Sequence, residues 1–442
     1  MYQLYHMKIT LVSHASMIIE ASGIRLWTDP WLHGKVFNES WSLLAPPAYD
    51  ASMLESIDYI WISHEHPDHF HIPTLRALPE TFKQRVTILY QYNNSEKMFE
   101  AMRRLGYPRH QALPHRKLVL LSNQTSVYCY QVGQMDSVLG VRSGRQVVLD
   151  VNDAEINTRD CRLIRADLGA IDVVLNQFSI AGYTGQSDCN THLSALAKRI
   201  LHSISDNHRD LAARVTIPMA SFIYFSKADN AYVNRFVNTP RDVWIHCQAR
   251  HEAVVILYNG DIYEVGMPHD SSQAIVQWDA VYQQLDQLPI DPVDTVPLEQ
   301  IEQAFHERAA DLLEKFPRLL LTWLHPVIIR ISDLDKTIRF SVANQSFEVI
   351  DDPTPPDLEM NSQPLAFGFQ TPFGVQTLGV SARFRVLRNE RNWRLHRIVF
   401  ALNNAELYLH PKYLFTLRNM RYVTSRLRGS LNQLTYQLQR MR

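Results

Sequence analysis

The stretch Ile62-Ser63-His64-Glu65-His66-Pro67-Asp68-His69-Phe70 decides how the chain is read. It follows the apolar run Ile57-Asp58-Tyr59-Ile60-Trp61-Ile62. Such a run predicts a buried strand, which places the polar side chains on the loop leaving its end. His64 and His66 are two positions apart and point to one side of an extended segment. Pro67 turns the chain, and Asp68 and His69 then face a neighbouring point. Two imidazoles beside an imidazole and a carboxylate are the donors that a pair of closely spaced metal ions requires. His64, His66, Asp68 and His69 are therefore metal-ligand candidates, with Asp68 also a catalytic candidate.

The composition bounds what such a site serves. A chain of 442 residues is long enough for two or three domains and a large core. With 46% apolar and 20% charged residues it has the make-up of an ordinary globular protein. A net charge of −1 argues against bulk nucleic-acid binding. Cys129, Cys161, Cys189 and Cys247 are scattered, which predicts a reducing compartment without a disulfide framework or a thiolate-held iron–sulfur cluster. Met1-Tyr2-Gln3-Leu4-Tyr5-His6 lacks the basic start and apolar middle of a signal peptide. No apolar run reaches the roughly 18 residues of a membrane span. The expectation is a cytoplasmic protein acting on a small molecule.

The motif H-x-H-x-D-H resembles that of the metallo-β-lactamase superfamily. Upstream, Lys8 to Glu20 and Gly23 to Leu32 resemble that superfamily's opening hairpin and its aspartate-bearing turn. The wording His14-Ala15-Ser16 and Thr28-Asp29-Pro30-Trp31-Leu32 is similar to the branch of the ascorbate-6-phosphate lactonases and the metallo-β-lactamase-like domain of CMP-N-acetylneuraminate hydroxylases. The resemblance implies a four-layer αββα sandwich over residues 1–290. It implies that His14 lies near the metals and that Asp29 holds the ligand loop in place. It also implies a third ligand on the first of two strands between Gly133 and Ala154, usually a histidine. None stands there; Asp136 is the nearest ligand-type residue, and Gln134 is a weaker one. Asp153 takes the bridging position. A carboxylate at Asp136 suits iron or manganese better than zinc.

The family's last ligand is commonly a histidine after a serine, where this chain has Ser226-Lys227. A lysine is a poor metal ligand unless its pKa is lowered. Lys227 is instead a catalytic candidate that would hold an anionic substrate group. Otherwise the last ligand is His246, His251 or His269. His246 ends a predicted strand Asp242-Val243-Trp244-Ile245 and is carried as the metal candidate.

Other segments fill in the frame. Residues 33–50 form a long connection whose Phe37 and Trp41 either wall a pocket or pack beneath the loop. Residues 95–105 predict a helix capped by Ser95, between strands at 86–90 and 117–121. Ile171 to Ser179 predicts a strand whose end, with Gly182-Tyr183-Thr184-Gly185, brings Gln177 and Tyr183 to a pocket or simply turns the chain. Helix is expected from His192 to Ile204, and a strand from Val254 to Tyr258. Pro289-Ile290-Asp291-Pro292 reads as a linker. Residues 295–442 predict an α+β domain with a helix over 298–316 and a hairpin around Asn344-Gln345. This region resembles a sterol-carrier-protein-like module, with a lid or homo-oligomer role. Residues 411–442 carry seven basic residues and no acid, the pattern of a basic amphipathic tail.

Two chemistries fit a dinuclear site. Metal-bound hydroxide hydrolyses a lactone, ester or phosphoester. Two ferrous ions with dioxygen hydroxylate a substrate, with electrons from a separate donor. Asp136, Lys227 and the hydroxylase-like wording favour iron and a monooxygenase-like reaction, with zinc- or manganese-dependent hydrolysis as the alternative.

Overall fold

The computed structural model describes residues 7–92, 96–133, 135–183, 185, 188–351 and 354–414. Two sheets face each other in the first part of the chain. One has seven strands in the order Ile262–Glu264, Lys8–Ser13, Ser16–Ala21, Ile24–Thr28, Tyr59–Trp61, Thr87–Gln91 and His110–Leu113. The other has six, in the order Ala213–Met219, Ile171–Gln177, Gln146–Asn152, Asp136–Ser143, Thr125–Val132 and Leu118–Leu120. Leu11, Met17, Ile19, Leu26, Trp61 and Leu89 of the first sheet meet Val127, Leu139, Val141, Val148, Val173 and Leu175 of the second in one buried core. These residues alternate along their strands, so each strand gives one face to the shared core.

The outer faces carry helices. Ile60, Ile62, Ile88 and Tyr90 pack against Leu75, Phe82, Phe99 and Met102 of the helices that follow their strands. On the second sheet Val138, Leu149 and Val174 pack against Cys161, Ile164 and Leu168 of the helix Thr158–Leu168. That helix begins at a capping box, Asn157 with Asp160. The layers are thus helix, sheet, sheet, helix, as the four-layer expectation requires.

The topology creates the site's edge. Ile24–Thr28, Tyr59–Trp61 and Thr87–Gln91 run parallel in the first sheet. Gln146–Asn152, Ile171–Gln177 and Ala213–Met219 do so in the second. Loops leaving the carboxyl ends of parallel strands gather on one edge, where open α/β sheets place ligands. Asp29, the His64–His69 loop and Asp153 all follow such strands. Asp136 begins an antiparallel strand, which brings it to the same edge.

A separate core starts at Val296 and takes residues only from there onward. A five-stranded sheet, in the order Ser346–Val349, Lys336–Ser341, Val327–Ile331, Leu358–Met360 and Arg385–Val386, packs against the helices Leu298–Lys315, Ser362–Gln370 and Glu390–Asn404. This is an α+β arrangement. The predicted hairpin is present, turning at Gln345 with φ +53°.

Some expectations are corrected. The segment at Asp242 to Ile245 is not a strand but part of the helix Pro240–Gln248. Thr239 accepts a hydrogen bond from the Asp242 amide, the Asp242 carboxylate accepts from the Thr239 amide, and Pro240 takes the first helical position. That start signal outweighs the strand-like run Val-Trp-Ile. Val254 makes only an isolated bridge to Thr216, not a strand. Residues 33–50 contain two short strands, Lys35–Val36 and Trp41–Leu43, the latter paired with Ile223–Phe225. Ser95, Gln134, Thr184 and the basic tail from residue 415 lie outside the described residues. Among the described residues no helix is long and apolar enough to cross a membrane.

Candidate metal centre

Two groups of donors meet on the common edge. The donor atoms of His64, His66 and Asp153 lie within 4.8 Å of one another, and those of His14, Asp68 and His69 do the same. Asp153 stands between them: its Oδ2 is 3.7 Å from His64 Nε2 and 3.5 Å from His69 Nε2. Asp68 Oδ2 is 3.3 Å from His69 Nε2 and 3.2 Å from His14 Nε2. Asp153 and His66 are half-buried, and the other four residues of the two groups are buried.

Each group is delivered by local structure. His14 sits in the two-residue turn between Lys8–Ser13 and Ser16–Ala21. Its carbonyl accepts from the Ala220 amide at 2.8 Å, and its ring meets the Trp31 edge at 5.4 Å. The ligand loop folds on itself, because the His66 carbonyl accepts from the amides of both His69 and Phe70. It ends where the His71 side chain caps the helix Ile72–Ala77. Asp153 follows a register shift at the end of its strand, with Asn152 at φ +47°. The Asn152 amide donates to Asp150 Oδ1 at 3.0 Å and its side chain to Ser137 O at 3.0 Å, which fixes the bend.

Asp29 is the anchor beneath the loop. It is fully buried and held at φ +38°, a conformation costing about 1–2 kcal/mol outside glycine. Its Oδ1 accepts from the Ser63 amide at 2.8 Å; its Oδ2 accepts from Ser63 Oγ and from His69 Nδ1, both at 2.7 Å. A carboxylate only accepts, so the His69 proton sits on Nδ1 and Nε2 faces the donor group as a lone pair. Ser63 Oγ, having donated to Asp29, accepts from His64 Nδ1 at 3.0 Å and sets that ring the same way.

The electrostatics are those of crowded carboxylates. Burial lowers the pKa of His64 and of His66. Burial pulls His69 down too, but Asp153, Asp68 and Asp29 outweigh it and raise it well above the ordinary value. Burial pushes Asp68 up, and the charges of His69 and His14 reverse that, leaving it well below the usual range. Asp153 is likewise lowered by His64 and His69 against its burial. Burial, then the Asp153 charge, pushes Asp136 up to about 7. Burial, then the Asp29 charge, raises Asp150 well above a normal carboxyl.

The residues suit metal ions. His14 Nδ1, Asp68 Oδ1, His69 Nε2 and Asp153 Oδ1 are buried without a hydrogen-bond partner among the described residues. Unpaired buried donors and acceptors are costly unless something else binds them. Imidazole nitrogens facing carboxylate oxygens at these separations are what a cation would bridge.

Other predicted residues fall elsewhere. Asp136 is half-buried beside this edge, close enough to feel the charges of Asp153 and His66, but in neither donor group. Lys227 is buried where the strand Ile223–Phe225 ends. Its ammonium lies 3.3 Å from Glu39 Oε2, 3.9 Å from Asp291 Oδ2 and 3.4 Å from Pro292 O. Those partners place it where the turn at Glu39 meets residues 291–292, and in neither donor group. His246, on its helix, donates to Ser205 Oγ at 3.0 Å, and Ser205 donates to Glu252 at 2.5 Å. His251 closes that helix at φ +57°, and His269 packs on Tyr263. None of the three joins a donor group, whereas His14 does. Gln177 ends its strand half-buried. Tyr183 is buried against Tyr232, its amide donating to Gly379 O at 2.7 Å. Sequence reasoning missed Ser63 and Asp150, whose roles depend on Asp29 and Asn152 rather than on any motif.

Comparison with known proteins agrees with the resemblance read from the sequence. The family model described as a beta-lactamase superfamily domain matches residues 8–139. The cytidine monophosphate-N-acetylneuraminic acid hydroxylase of Danio rerio is 38% identical over 100 residues, 22% of this chain and 16% of that protein. The chain therefore spans only about a sixth of that relative's length. Among solved structures, an isothiocyanate hydrolase from Delia radicum gut bacteria is similar over 59% of this chain and 100% of its own, at 12% identity and a TM-score of 0.45. CmlA, a diiron beta-hydroxylase from Streptomyces venezuelae, is similar over 59% of this chain and 54% of its own, at 16% identity and a TM-score of 0.42.

Proposed function

We propose that the chain is a dinuclear-metal enzyme, a diiron, O2-dependent hydroxylase of a small metabolite. The observation that carries this is the pair of adjacent donor groups, each a mix of imidazole and carboxylate, with Asp153 Oδ2 3.7 Å from His64 Nε2 in its own group and 3.5 Å from His69 Nε2 in the other. One metal is assigned to His64 and His66, with Asp136 beside it, and the other to His14, Asp68 and His69. Asp153, lying between the two groups, would serve both ions. Three carboxylates among these seven side chains suit a hard, redox-active ion such as iron. Curated relatives carrying a hydroxylase name support the same class of reaction. Residues 1–290 are taken as the catalytic domain. Residues 295–442 are taken as an accessory α+β domain of sterol-carrier-protein type.

When bound, two ferrous ions supply dioxygen activation, with electrons from an external donor. The chain's own residues do the positioning. Asp29 and Ser63 keep the Nε2 lone pairs of His69 and His64 turned inward. Phe37, packed edge to face on Trp41 at 4.6 Å, stands against the His66 ring at 5.8 Å. Hydrolysis by a metal-bound hydroxide would use the same ligands, so the two reactions separate by assay. Protein loaded with Fe(II) should consume oxygen when a reductant and a substrate are supplied. Protein that holds two zinc ions and hydrolyses lactones or phosphoesters without oxygen would overturn the oxygenase reading.

A further inference from the structure

The turn Phe37-Asn38-Glu39 joins the strands Lys35–Val36 and Trp41–Leu43 with three consecutive left-handed residues, at φ 52°, 60° and 58°. L-residues enter that region singly, not in series. The turn therefore needs fixing from outside: Lys227 and Asn230 hold it from the first part of the chain, and further groups come from the C-terminal part. Asn38 Nδ2 donates to Gln363 Oε1 at 3.1 Å, and Gln363 Nε2 donates back to Asn38 Oδ1 at 2.8 Å. Arg383 Nη1 donates to the Asn38 carbonyl at 3.4 Å. The Arg383 side chain is wholly buried, and its Nε donates to both oxygens of Asp229, at 2.8 and 3.0 Å. Asn230 Nδ2 donates to Ser40 O and to Ser381 O, at 3.1 and 2.8 Å, tying the end of the turn to the end of the helix Gly374–Ser381.

The turn also touches the metal centre. The Phe37 ring meets the His66 ring at 5.8 Å, close to perpendicular. Ser63 and Asp29 set the rings of His64 and His69 from beneath the loop, whereas the His66 ring bonds inside the donor group, its Nδ1 lying 2.8 Å from His64 Nε2. The Phe37 ring is the contact that bears on His66 from outside the donor group.

We propose that Gln363 and Arg383 are positioning residues: they hold the left-handed turn so that Phe37 fixes the His66 imidazole for its metal ion. The C-terminal part is then a wall of the metal centre and not a separate appendage. This rests on the two-metal reading above. A reciprocal amide pair suits the task because both amides must be correctly oriented for either bond to form.

The test is a titration of the full-length, metal-stripped protein with Co(II), followed by visible absorption. Wild type should take two Co(II) ions. Gln363→Leu should bind one of them about tenfold or more weakly, with a changed absorption band, and leave the other unchanged. Gln363→Glu keeps the acceptor for Asn38 Nδ2 and should recover most of the affinity. Asn38→Gly removes the amide but tolerates the backbone, so it should reproduce the Gln363→Leu defect even if that variant folds poorly. Wild-type affinities and spectra in both Gln363→Leu and Asn38→Gly would overturn the proposal, as would equal weakening of both sites. A wild type that binds fewer than two Co(II) ions would instead overturn the two-metal reading itself.

Discussion

At the scale of single residues, the decisive contrast is between His14 and His246. His14 reaches Asp68 from a hairpin turn 54 positions earlier, while His246 is engaged by Ser205 on the helical side of the fold. His14→Ala should lose one of two bound metal ions, because it removes one of the three donors of its group. His246→Ala should keep both ions. Metal analysis of the two variants after dialysis checks this, and loss of metal from His246→Ala would mean that the donor groups are drawn wrongly. The contrast also shows where sequence reading stopped. His64 to His69 were legible because the ligands are neighbours in the chain and their spacing carries the geometry. His14 was noticed, but its approach to Asp68 is set by pairing across a sheet, which no local pattern encodes. Lys227 drew attention by standing after Ser226; its partners Glu39 and Asp291 are remote in sequence and could not be seen.

At the scale of elements, close approach is controlled by glycines. A Cβ on Gly374 would lie 2.2 Å from Phe367 O and 2.7 Å from the Gly368 Cα, both backbone atoms that cannot rotate away. The helix Gly374–Ser381 packs on Ser362–Gln370 only because that side chain is missing. Gly374→Ala should destabilise the protein by roughly 1–3 kcal/mol, the usual cost of overpacking, read as a lower midpoint in urea. Since Gln363 and Ser381 stand on these two helices, the Phe37 turn should loosen in the same variant. A Gly374→Ala protein as stable as wild type would mean that the helices are further apart than described. Elements were mostly legible where period and caps agreed, as in the helix predicted over 298–316 and found as Leu298–Lys315. The helix Pro240–Gln248 was misread because three strand-forming residues were weighed above a Thr-Pro-x-Asp start.

At the scale of the whole molecule, the C-terminal part has a core of its own, with its own response to acid. His396 is fully buried in the second core, between the Trp393 and Phe340 rings, with its Nδ1 against the Asn392 carbonyl at 3.0 Å. Burial lowers its pKa to about 4; the Asn392 carbonyl and the Asp357 charge oppose this and His325 adds to it. An unfolded histidine titrates near 6.5, so as pH falls the unfolded chain takes up the proton first. The stability that neutral His396 contributes is whole above about pH 6.5 and is lost as pH falls toward 4, by roughly 3 kcal/mol. His396→Phe should flatten that part of the pH profile of thermal unfolding, and an unchanged profile would refute the assignment. The most direct measurement on the whole protein is the metal content per chain after anaerobic loading with Fe(II) and removal of loose ions. Two irons in wild type, falling to one or none in Asp153→Ala, are predicted from one carboxylate bridging two donor groups. One iron or none in wild type, or two retained in Asp153→Ala, would contradict it.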